Sequence, residues 1–245
     1  LITNEAEFTR VVNDCLKASA QENCLLTLGI KPNRPDTGYG YIQYNEDSLA
    51  KYTDIKKVKT FTEKPNQDLA LQFLDSGDFL WNSGIFIWKV EAVMLSIRKH
   101  LRDLYDVFES GNEYYNTSEE TAFIDRVFPG CKSISVDYGL MEKSDKVYVY
   151  PADFGWSDLG TWGSLYTHLD MDDRKNGVIG DNVMLYNSSG NIVNVPKEKL
   201  VVLQGLDGYI VVESNNTLLI CKKDDEQQIK QFVADIKREK GEDLV

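Results

Sequence analysis

The sequence predicts an α/β domain followed by a small β-rich module and a C-terminal helix. Helical and strand patterns alternate as far as Leu169, and a polar, charged segment follows at Met171–Asn176. Beyond it, short β-rich runs recur at intervals of roughly eight to ten residues until Cys221. We therefore divide the chain into a first domain at residues 1–170 and a second at residues 177–245.

The first elements indicate a doubly wound, Rossmann-like α/β domain. Asn4 followed by Glu7 is typical of a capping box, and apolar residues then fall on one helical face. The apolar run Cys24–Ile30 is typical of a strand buried in a parallel sheet. A helix followed by such a strand is half of a βαβ unit, and the expected preceding strand is not in the sequence. We therefore expect this domain to be incomplete.

The remaining elements of the first domain continue the alternation. We predict strands and helices at residues 41–44, 57–63, 67–76, 85–88, 91–109, 118–128, 147–150 and 161–168. The β runs of the second domain, separated by Gly, Asn and Ser, are typical of a sandwich, a barrel or a β-solenoid. The last helix carries one apolar stripe, formed by Ile229, Phe232, Val233 and Ile236.

Composition and charge exclude several classes of function. The 245 residues carry a net charge of −12, which argues against a nucleic-acid binder with a basic surface. The sequence lacks an apolar run long enough for a transmembrane helix, and its first residues do not resemble a signal peptide. Four widely spaced cysteines suit a reducing cytoplasm better than a zinc site or a disulfide scaffold: Cys15, Cys24, Cys131 and Cys221.

Two short motifs suit a sugar phosphate as ligand. In the loop Lys31–Gly40, glycines on both sides of Tyr39 let the backbone approach a ligand, and an ordinary rigid turn is the alternative. Glu63 and Lys64 end a predicted strand, and the proline after them favours a break there. A break lets Glu63 accept hydrogen bonds from sugar hydroxyls and lets Lys64 neutralise a phosphate; the alternative is a solvent-exposed ion pair.

Three further motifs carry polar groups in informative settings. Asn82, in an Asn-Ser-Gly turn before an apolar strand, is suited to hydrogen bonding with a polyhydroxy ligand. Asp158 lies between Trp156 and Trp162, so we expect its carboxylate either to bind a metal such as Mg²⁺ or to cap the following helix. The segment Asp137–Lys143 places acidic groups near a glycine, and its plainest interpretation is a short surface helix.

Five motifs follow one another along nearly the whole chain. They are G-I-K-P-N-R-P-D-T-G-Y-G-Y-I, F-T-E-K-P, W-N-S-G-I-F-I-W, D-Y-G-L-M-E-K and F-G-W-S-D-L-G-T-W. In this order they resemble the mannose-1-phosphate guanylyltransferase (GDP-mannose pyrophosphorylase) family, in its form without a fused isomerase domain. The E-K-P element alone would indicate only sugar nucleotidyltransferases in general.

The resemblance implies a reaction and a set of site residues. Mannose 1-phosphate attacks the α-phosphorus of GTP in line, giving GDP-mannose and pyrophosphate, and catalysis consists of positioning and charge neutralisation. Tyr39 and Gly40 are expected to line the sugar-nucleotide pocket. Glu63 and Asn82 are expected to bind mannose hydroxyls, and Lys64 to contact the sugar phosphate.

The resemblance also implies a cofactor and a partner. Asp158 is expected to hold Mg²⁺, which makes Lys64 and Asp158 the predicted catalytic residues. A left-handed β-helix-type module from about Val178 is expected to join two copies of the chain in a homodimer. The expected partners are therefore mannose 1-phosphate, GTP, GDP-mannose and a second copy, with neither nucleic acid nor membrane.

The sequence departs from the family pattern at its start. The glycine-rich loop that carries Arg and Lys toward the GTP phosphates in that family does not occur here, nor does the metal-binding Asp expected before Leu1. We therefore expect this chain to be inactive alone. Two alternatives are another sugar-nucleotide pyrophosphorylase and a non-catalytic sugar-phosphate-binding subunit. A glycosidase with Asp153 and Asp158 as its carboxylate pair is a weaker third, since nothing else in the sequence supports it.

Overall fold

The computed structural model describes residues 1–49 and 51–241, which divide into two units. The first unit is Ile2–Trp156, and the second contains Leu1 together with the chain from Ser157 onward. The first unit is α/β, and the second is β-rich with a final helix, which confirms the predicted fold class. The predicted domain boundary at residues 171–176 lies inside the second unit and stays a prediction.

The first helix, α1 (Glu5–Gln21), begins where the sequence predicted. The side chain of Asn4 accepts a hydrogen bond from the backbone N–H of Glu7 at 3.1 Å, which satisfies one of the exposed donors of the first turn. Val11, Cys15 and Ala18 lie on the buried face, with the spacing of successive helical turns. This face packs into the main apolar core of the first unit.

Five strands of the first unit close into a barrel in the order β1-β4-β2-β3-β5. β1 pairs in parallel with β5, whereas the other pairs of the barrel are antiparallel. Alternate residues of β1 enter two separate core clusters, Leu26 and Leu28 in one and Leu25 in the other. Both faces are therefore covered, which explains the continuous apolar run. The strands are β1 (Leu25–Ile30), β2 (Tyr41–Leu49), β3 (Tyr52–Thr62), β4 (Phe79–Trp88) and β5 (Val147–Ala152).

The helices of the first unit differ from prediction in two places. The predicted helical segment at residues 91–109 is two helices, because Leu101 leaves the helical region at φ −132° and ψ 53°. A π-helical turn covers Asp137–Met141, where a short surface helix was expected. The helices after α1 are α2 (Gln67–Ser76), α3 (Val90–His100), α4 (Arg102–Glu109) and α5 (Glu120–Val127).

The predicted Asn-Ser-Gly turn before the apolar strand is wrong. Asn82 lies inside β4, and Gly84, at φ +71°, forms part of a bulge. The register of β4 against β1 shifts between Thr27, which faces Phe86, and Gly29, which faces Asn82. Bulges insert extra residues in one strand and redirect the side chains beside them.

The second unit stacks short parallel strands. One sheet has the order β11-β10-β8-β6, the other pairs β7 with β9, and β6, β8 and β10 run parallel. This arrangement matches the β-solenoid among the predicted alternatives, while its handedness stays a prediction. The elements are α6 (Trp162–Tyr166), β6 (Gly177–Ile179), β7 (Val183–Tyr186), β8 (Ile192–Asn194), β9 (Val201–Gln204), β10 (Tyr209–Ser214), β11 (Thr217–Lys222) and α7 (Ile229–Lys240).

Buried asparagines join successive layers of the second unit. Asn191 donates from Nδ2 to Oδ1 of Asn176, 15 residues earlier, at 2.9 Å. Its own Oδ1 accepts from the backbone N–H of Tyr209, 18 residues later, at 2.8 Å. Parallel layers are thereby held in register by side-chain amides as well as by strand pairing.

Helices in the described part of the chain are too short or too polar to cross a membrane. The longest of them, α1, has 17 residues and carries several charged side chains.

Candidate functional site

The predicted site residues of the first unit gather where three neighbouring strands meet. Tyr41 of β2 pairs with Thr62 of β3 on one side and with Trp81 of β4 on the other. The residues immediately beyond these three pairing positions are therefore neighbours in space. They form what we call the strand-end cluster: Tyr39, Gly40, Glu63, Lys64 and Asn82.

Backbone hydrogen bonds hold the three segments of the cluster together. The N–H of Lys64 donates to the carbonyl of Tyr39 at 3.2 Å, and the N–H of Asn82 donates to the carbonyl of Gly40 at 2.8 Å. The predicted strand break is confirmed, because β3 ends at Thr62 and Lys64 has a φ of +48°. This left-handed conformation interrupts the alternation of faces and lets Glu63 and Lys64 approach each other.

Gly40 provides the space in which two of these side chains meet. A Cβ at this position would lie 2.4 Å from Oε2 of Glu63 and 3.4 Å from Cβ of Asn82. A side chain at residue 40 would therefore have to displace the Glu63 carboxylate from this position. The predicted approach of a ligand to the Gly40 backbone stays a prediction.

Tyr39 packs inside the loop that precedes β2. Its ring lies edge-on to Trp81 at 5.0 Å and to Trp156 at 5.5 Å between centroids. The guanidinium of Arg34 lies 5.0 Å from the centroid of Trp81 and forms an ion pair of 2.8 Å with buried Asp36. The loop is thus a rigid, internally bonded support, and the tyrosine contributes its backbone carbonyl to the strand-end cluster.

Glu63 and Lys64 form an ion pair with unequal burial. The side chain of Glu63 is 6% exposed, whereas that of Lys64 is 50% exposed. The backbone N–H of Glu63 also donates to Oε1 of Glu142 at 3.2 Å. The half-exposed lysine retains access to an incoming anion.

The surroundings of Lys64 keep its ammonium charged. Burial acts to lower its pKa, but the hydrogen bond and charge of Glu63, followed by the charges of Asp137 and Tyr138, outweigh burial and raise the pKa. Its ordinary value already lies far above neutrality. Lys64 is therefore suited to charge neutralisation and unsuited to accepting a proton at neutral pH.

Asn82 has partners on both ends of its amide. Its Oδ1 accepts from the hydroxyl of Thr27 at 2.9 Å and from the backbone N–H of Gly84 at 3.3 Å. Its Nδ2 donates to Oδ1 of Asp137 at 3.0 Å. These hydrogen bonds hold the amide in place. Because Asn82 is only half-buried, the amide lies at the accessible edge of the strand-end cluster.

Asp158 belongs to the second unit and has an exposed side chain. Its Oδ1 accepts from the backbone N–H of Gly160 at 2.8 Å. The alternative that Asp158 caps the following helix is wrong, because Thr161 is the N-cap of α6 and accepts from the N–H of Ser164 at 3.1 Å. The metal role of Asp158 stays a prediction.

Three partners of the cluster were missed as functional residues in the sequence. Asp137 and Glu142 belonged to a recognised motif, and their spacing would suit a common face only with the wider π-helical turn that the structure contains. Thr27 lies within an apolar strand, where the sequence carries no signal for a contact with Asn82. Tertiary pairing of β1 with β4 produces that contact.

A search of the described ranges, 1–49 and 51–241, finds no group of three or more His, Cys, Asp or Glu side chains able to hold a metal ion. Any metal bound by Asp158 would therefore need ligands other than such a preformed cluster. Substrate phosphates and water are common ligands of this kind for Mg²⁺.

Comparison with known families divides the chain in the same order as the structure. A family described as nucleotidyl transferase matches residues 2–175. A second family, described as the MannoseP isomerase/GMP-like beta-helix domain, matches residues 181–236. The second match agrees with the parallel stacking of β6, β8 and β10.

Similar proteins include an alginate biosynthesis protein and a mannose-1-phosphate guanylyltransferase. The alginate biosynthesis protein AlgA of Pseudomonas fluorescens is 36% identical over 217 residues, which cover 88% of this chain and 44% of that protein. A mannose-1-phosphate guanylyltransferase of Salmonella montevideo is 33% identical over 245 residues, covering 98% of this chain and 51% of that protein. The chain thus spans about half the length of the curated relatives it matches.

A solved structure shows the same fold over nearly the whole chain. It is described as a mannose-1-phosphate geranyltransferase from Thermus thermophilus and has a TM-score of 0.78 at 26% identity. The likeness covers 97% of this chain and 67% of the other.

Proposed function

This chain belongs to the nucleotidyl transferase family, and on that premise we propose that the protein containing it transfers GMP from GTP to mannose 1-phosphate. The products are GDP-mannose and pyrophosphate. The name of the Salmonella montevideo relative, mannose-1-phosphate guanylyltransferase, supports this choice of substrates. The prediction that these 245 residues alone are inactive stays a prediction.

The strand-end cluster is the observation that carries this proposal. It combines a buried carboxylate, a half-exposed ammonium group and an oriented carboxamide around the backbone of Gly40. A carboxylate accepts hydrogen bonds from sugar hydroxyls, a carboxamide donates to them, and a lysine attracts the phosphate. A sugar 1-phosphate offers all three complementary groups within one small molecule.

The proposed reaction is a single displacement at phosphorus. A phosphate oxygen of mannose 1-phosphate forms a bond to the α-phosphorus of GTP. The bond from that phosphorus to the oxygen bridging to the β-phosphate breaks, and pyrophosphate leaves with the electron pair. Lys64 lowers the barrier by neutralising charge on the phosphates, while Glu63 and Asn82 hold the sugar in the attacking orientation.

We propose that Asp158 holds Mg²⁺. Mg²⁺ usually takes only one or two protein carboxylates and completes its coordination with substrate phosphates and water, so a single exposed carboxylate suits it. When bound, Mg²⁺ offsets the charge of the triphosphate. In the Asp158→Ala variant, the Mg²⁺ concentration that gives half-maximal pyrophosphate release should be higher than in the native protein. An unchanged concentration would refute this assignment.

Pyrophosphate release by the full-length protein tests the activity. We expect GTP with mannose 1-phosphate to react faster than any other pair in a panel of nucleoside triphosphates and sugar 1-phosphates. A faster reaction with another pair would indicate a different sugar-nucleotide pyrophosphorylase. Binding of mannose 1-phosphate without turnover would indicate a non-catalytic subunit instead.

We further propose that the second unit joins two copies of the chain. Met184 of β7 pairs directly with Val202 of β9, and the two residues are 45% and 55% exposed. Exposed apolar pairs of this kind are typical of association surfaces.

Light scattering should show a dimer for the native protein and a monomer for Met184→Lys combined with Val202→Lys. Met94→Lys, at an exposed methionine of the first unit, should leave the dimer intact, and a monomeric native protein would refute the proposal.

We also propose that the protein works in the cytoplasm. All four cysteines are free thiols, and Cys15, Cys24 and Cys221 are buried. Free thiols persist in a reducing compartment. Cell fractionation of the native organism would test this assignment, and recovery from an oxidising compartment would refute it.

A further inference from the structure

The acidic π-helical turn contacts the strand-end cluster at two points. Oδ1 of Asp137 lies 3.0 Å from Nδ2 of Asn82, and Oε1 of Glu142 lies 3.2 Å from the backbone nitrogen of Glu63. Neither acid has a role in the proposed reaction so far. We propose that Asp137 is a positioning residue of the sugar site, whose carboxylate determines which end of the Asn82 carboxamide faces the sugar. This inference rests on the proposed function.

Two partners of the Asn82 amide, one at each end, cannot exchange the roles of donor and acceptor. The backbone N–H of Gly84 can only donate, and it lies 3.3 Å from Oδ1 of Asn82. An ionised Asp137 can only accept, and it lies on the side of Nδ2. A flipped amide would set oxygen against carboxylate and N–H against N–H. Asp137 therefore supplies the stronger, charge-assisted half of the constraint.

This orientation defines what the cluster offers a ligand. In the described part of the chain, Asp137 is the acceptor bonded to Nδ2, so the second N–H of the same amide remains for a ligand. On the other side of Gly40, Oε2 of Glu63 is an acceptor. A sugar hydroxyl that accepts from Asn82 and donates to Glu63 satisfies both groups. Inverting the amide would leave two acceptors there and no donor.

The charge of Asp137 reinforces this arrangement. Asp137 is one of the groups that raise the pKa of Lys64. Two influences are larger: burial, which lowers this pKa, and Glu63, which raises it. The same carboxylate thus acts on the sugar-binding amide and on the phosphate-binding ammonium group. A residue that bonds to Asn82 and acts on Lys64 through its charge is expected to influence the affinity for the whole sugar phosphate.

A first experiment examines the orientation without any ligand. Hydrogen exchange of the Asn82 side-chain amide, followed by NMR in the ¹⁵N-labelled full-length protein, should be about tenfold faster in Asp137→Ala than in the native protein. Asp145→Asn removes an equal charge from an exposed aspartate paired with Lys99, and it should leave the exchange unchanged. Unchanged exchange in Asp137→Ala would overturn the inference.

A second experiment examines the coupling between the two residues. Asp137→Ala should weaken the binding of mannose 1-phosphate about tenfold in the native background but less than about twofold in Asn82→Ala. Asp137→Asn keeps an acceptor oxygen and should fall between the native protein and Asp137→Ala. Equal losses in both backgrounds would mean that Asp137 acts independently of Asn82, which would overturn the inference. If the native protein fails to bind mannose 1-phosphate, the proposed function is wrong, and the exchange experiment still decides the role of Asp137.

Discussion

Each unit of the molecule contains a lysine paired with a largely buried glutamate. The pair of Lys64 and Glu63 in the first unit has side-chain exposures of 50% and 6%, and the pair of Lys199 and Glu213 in the second has 46% and 11%. Their chemistry and burial are nearly the same. The difference is that Lys64 lies among other oriented polar groups, such as Asn82 and Asp137. We therefore infer that a lysine suited to ligand binding differs from a structural one by the polar groups gathered around it, more than by its burial or its ion pair.

Replacing the two lysines gives the sharpest test of that difference. Lys64→Ala should lower kcat/KM for mannose 1-phosphate by about 10²–10³-fold, because it removes a charge that neutralises the phosphates of the transition state. Lys199→Ala should leave kcat/KM unchanged. Initial-rate kinetics of both full-length variants, with thermal unfolding as a check on folding, would measure this. Similar kinetic losses in the two variants would break the comparison.

Buried asparagines extend the comparison from charge to hydrogen bonding. Nδ2 of Asn191 donates to Asn176 and to the carbonyl of Leu206, both at 2.9 Å, and its Oδ1 accepts from Tyr209. The amide of Asn191 is therefore bonded within the protein at both ends. In the described residues the bond to Asp137 occupies one N–H of Asn82 in the first unit, and we propose the other N–H for the sugar.

Asn191→Ala should therefore cost stability more than activity. Removing the amide leaves buried donors and acceptors unpaired, which should lower the free energy of unfolding by about 3 kcal/mol. Asn82→Ala should be destabilising by only about 1 kcal/mol, because its site is half-buried, and should mainly weaken sugar binding. Denaturant unfolding and binding titrations on both variants separate the two effects. A larger stability loss for Asn82→Ala would reverse the assignment of roles.

Glycines allow a smaller and more local test of the strand-end cluster. A methyl group at Gly40 would meet Oε2 of Glu63 at 2.4 Å, so Gly40→Ala must displace that carboxylate. We expect the KM for mannose 1-phosphate to rise about tenfold while kcat changes less, since positioning of the sugar is disturbed. Gly130→Ala has no atom within 4 Å of the added methyl group and should behave as the native protein. An unchanged KM in Gly40→Ala would exclude Glu63 as a sugar contact.

Much of the fold follows from local patterns in the sequence. The capping residue Asn4, the buried strand β1 and the short strands of the second unit were predicted because periodicity and turn residues are local signals. The bulge at Gly84 was not predicted, since an Asn-Ser-Gly run is equally typical of a turn, and only pairing with β1 keeps the chain extended.

The candidate site was predictable only in part, for a related reason. Glu63, Lys64 and Asn82 carry recognisable motifs, and the strand pairing brings them together. Asp137 joins them through a contact across 55 residues, and no spacing rule in the sequence relates two residues so far apart. Residues that orient others are therefore harder to find than residues that bind a ligand directly.

The smallest difference that we expect between the two units is in how the free energy of unfolding depends on acid pH. Asp172 of the second unit accepts hydrogen bonds from the side chain and the backbone N–H of Asn176, which hold its pKa below the ordinary value of 3.8. A carboxyl group whose pKa is lowered by folding stabilises the protein above its unfolded pKa. That stabilisation is lost as the pH falls through the lower folded value. The free energy of unfolding of the native protein should therefore decrease between about pH 5 and pH 2, and Asp172→Asn should flatten this part of the curve.

Asp145→Asn in the first unit should change it less, because its partner Lys99 is 61% exposed and the pair is screened by solvent. If both variants flatten the curve equally, the hydrogen bonds from Asn176 give Asp172 no greater acid dependence than the solvent-exposed pair of Asp145 and Lys99 provides.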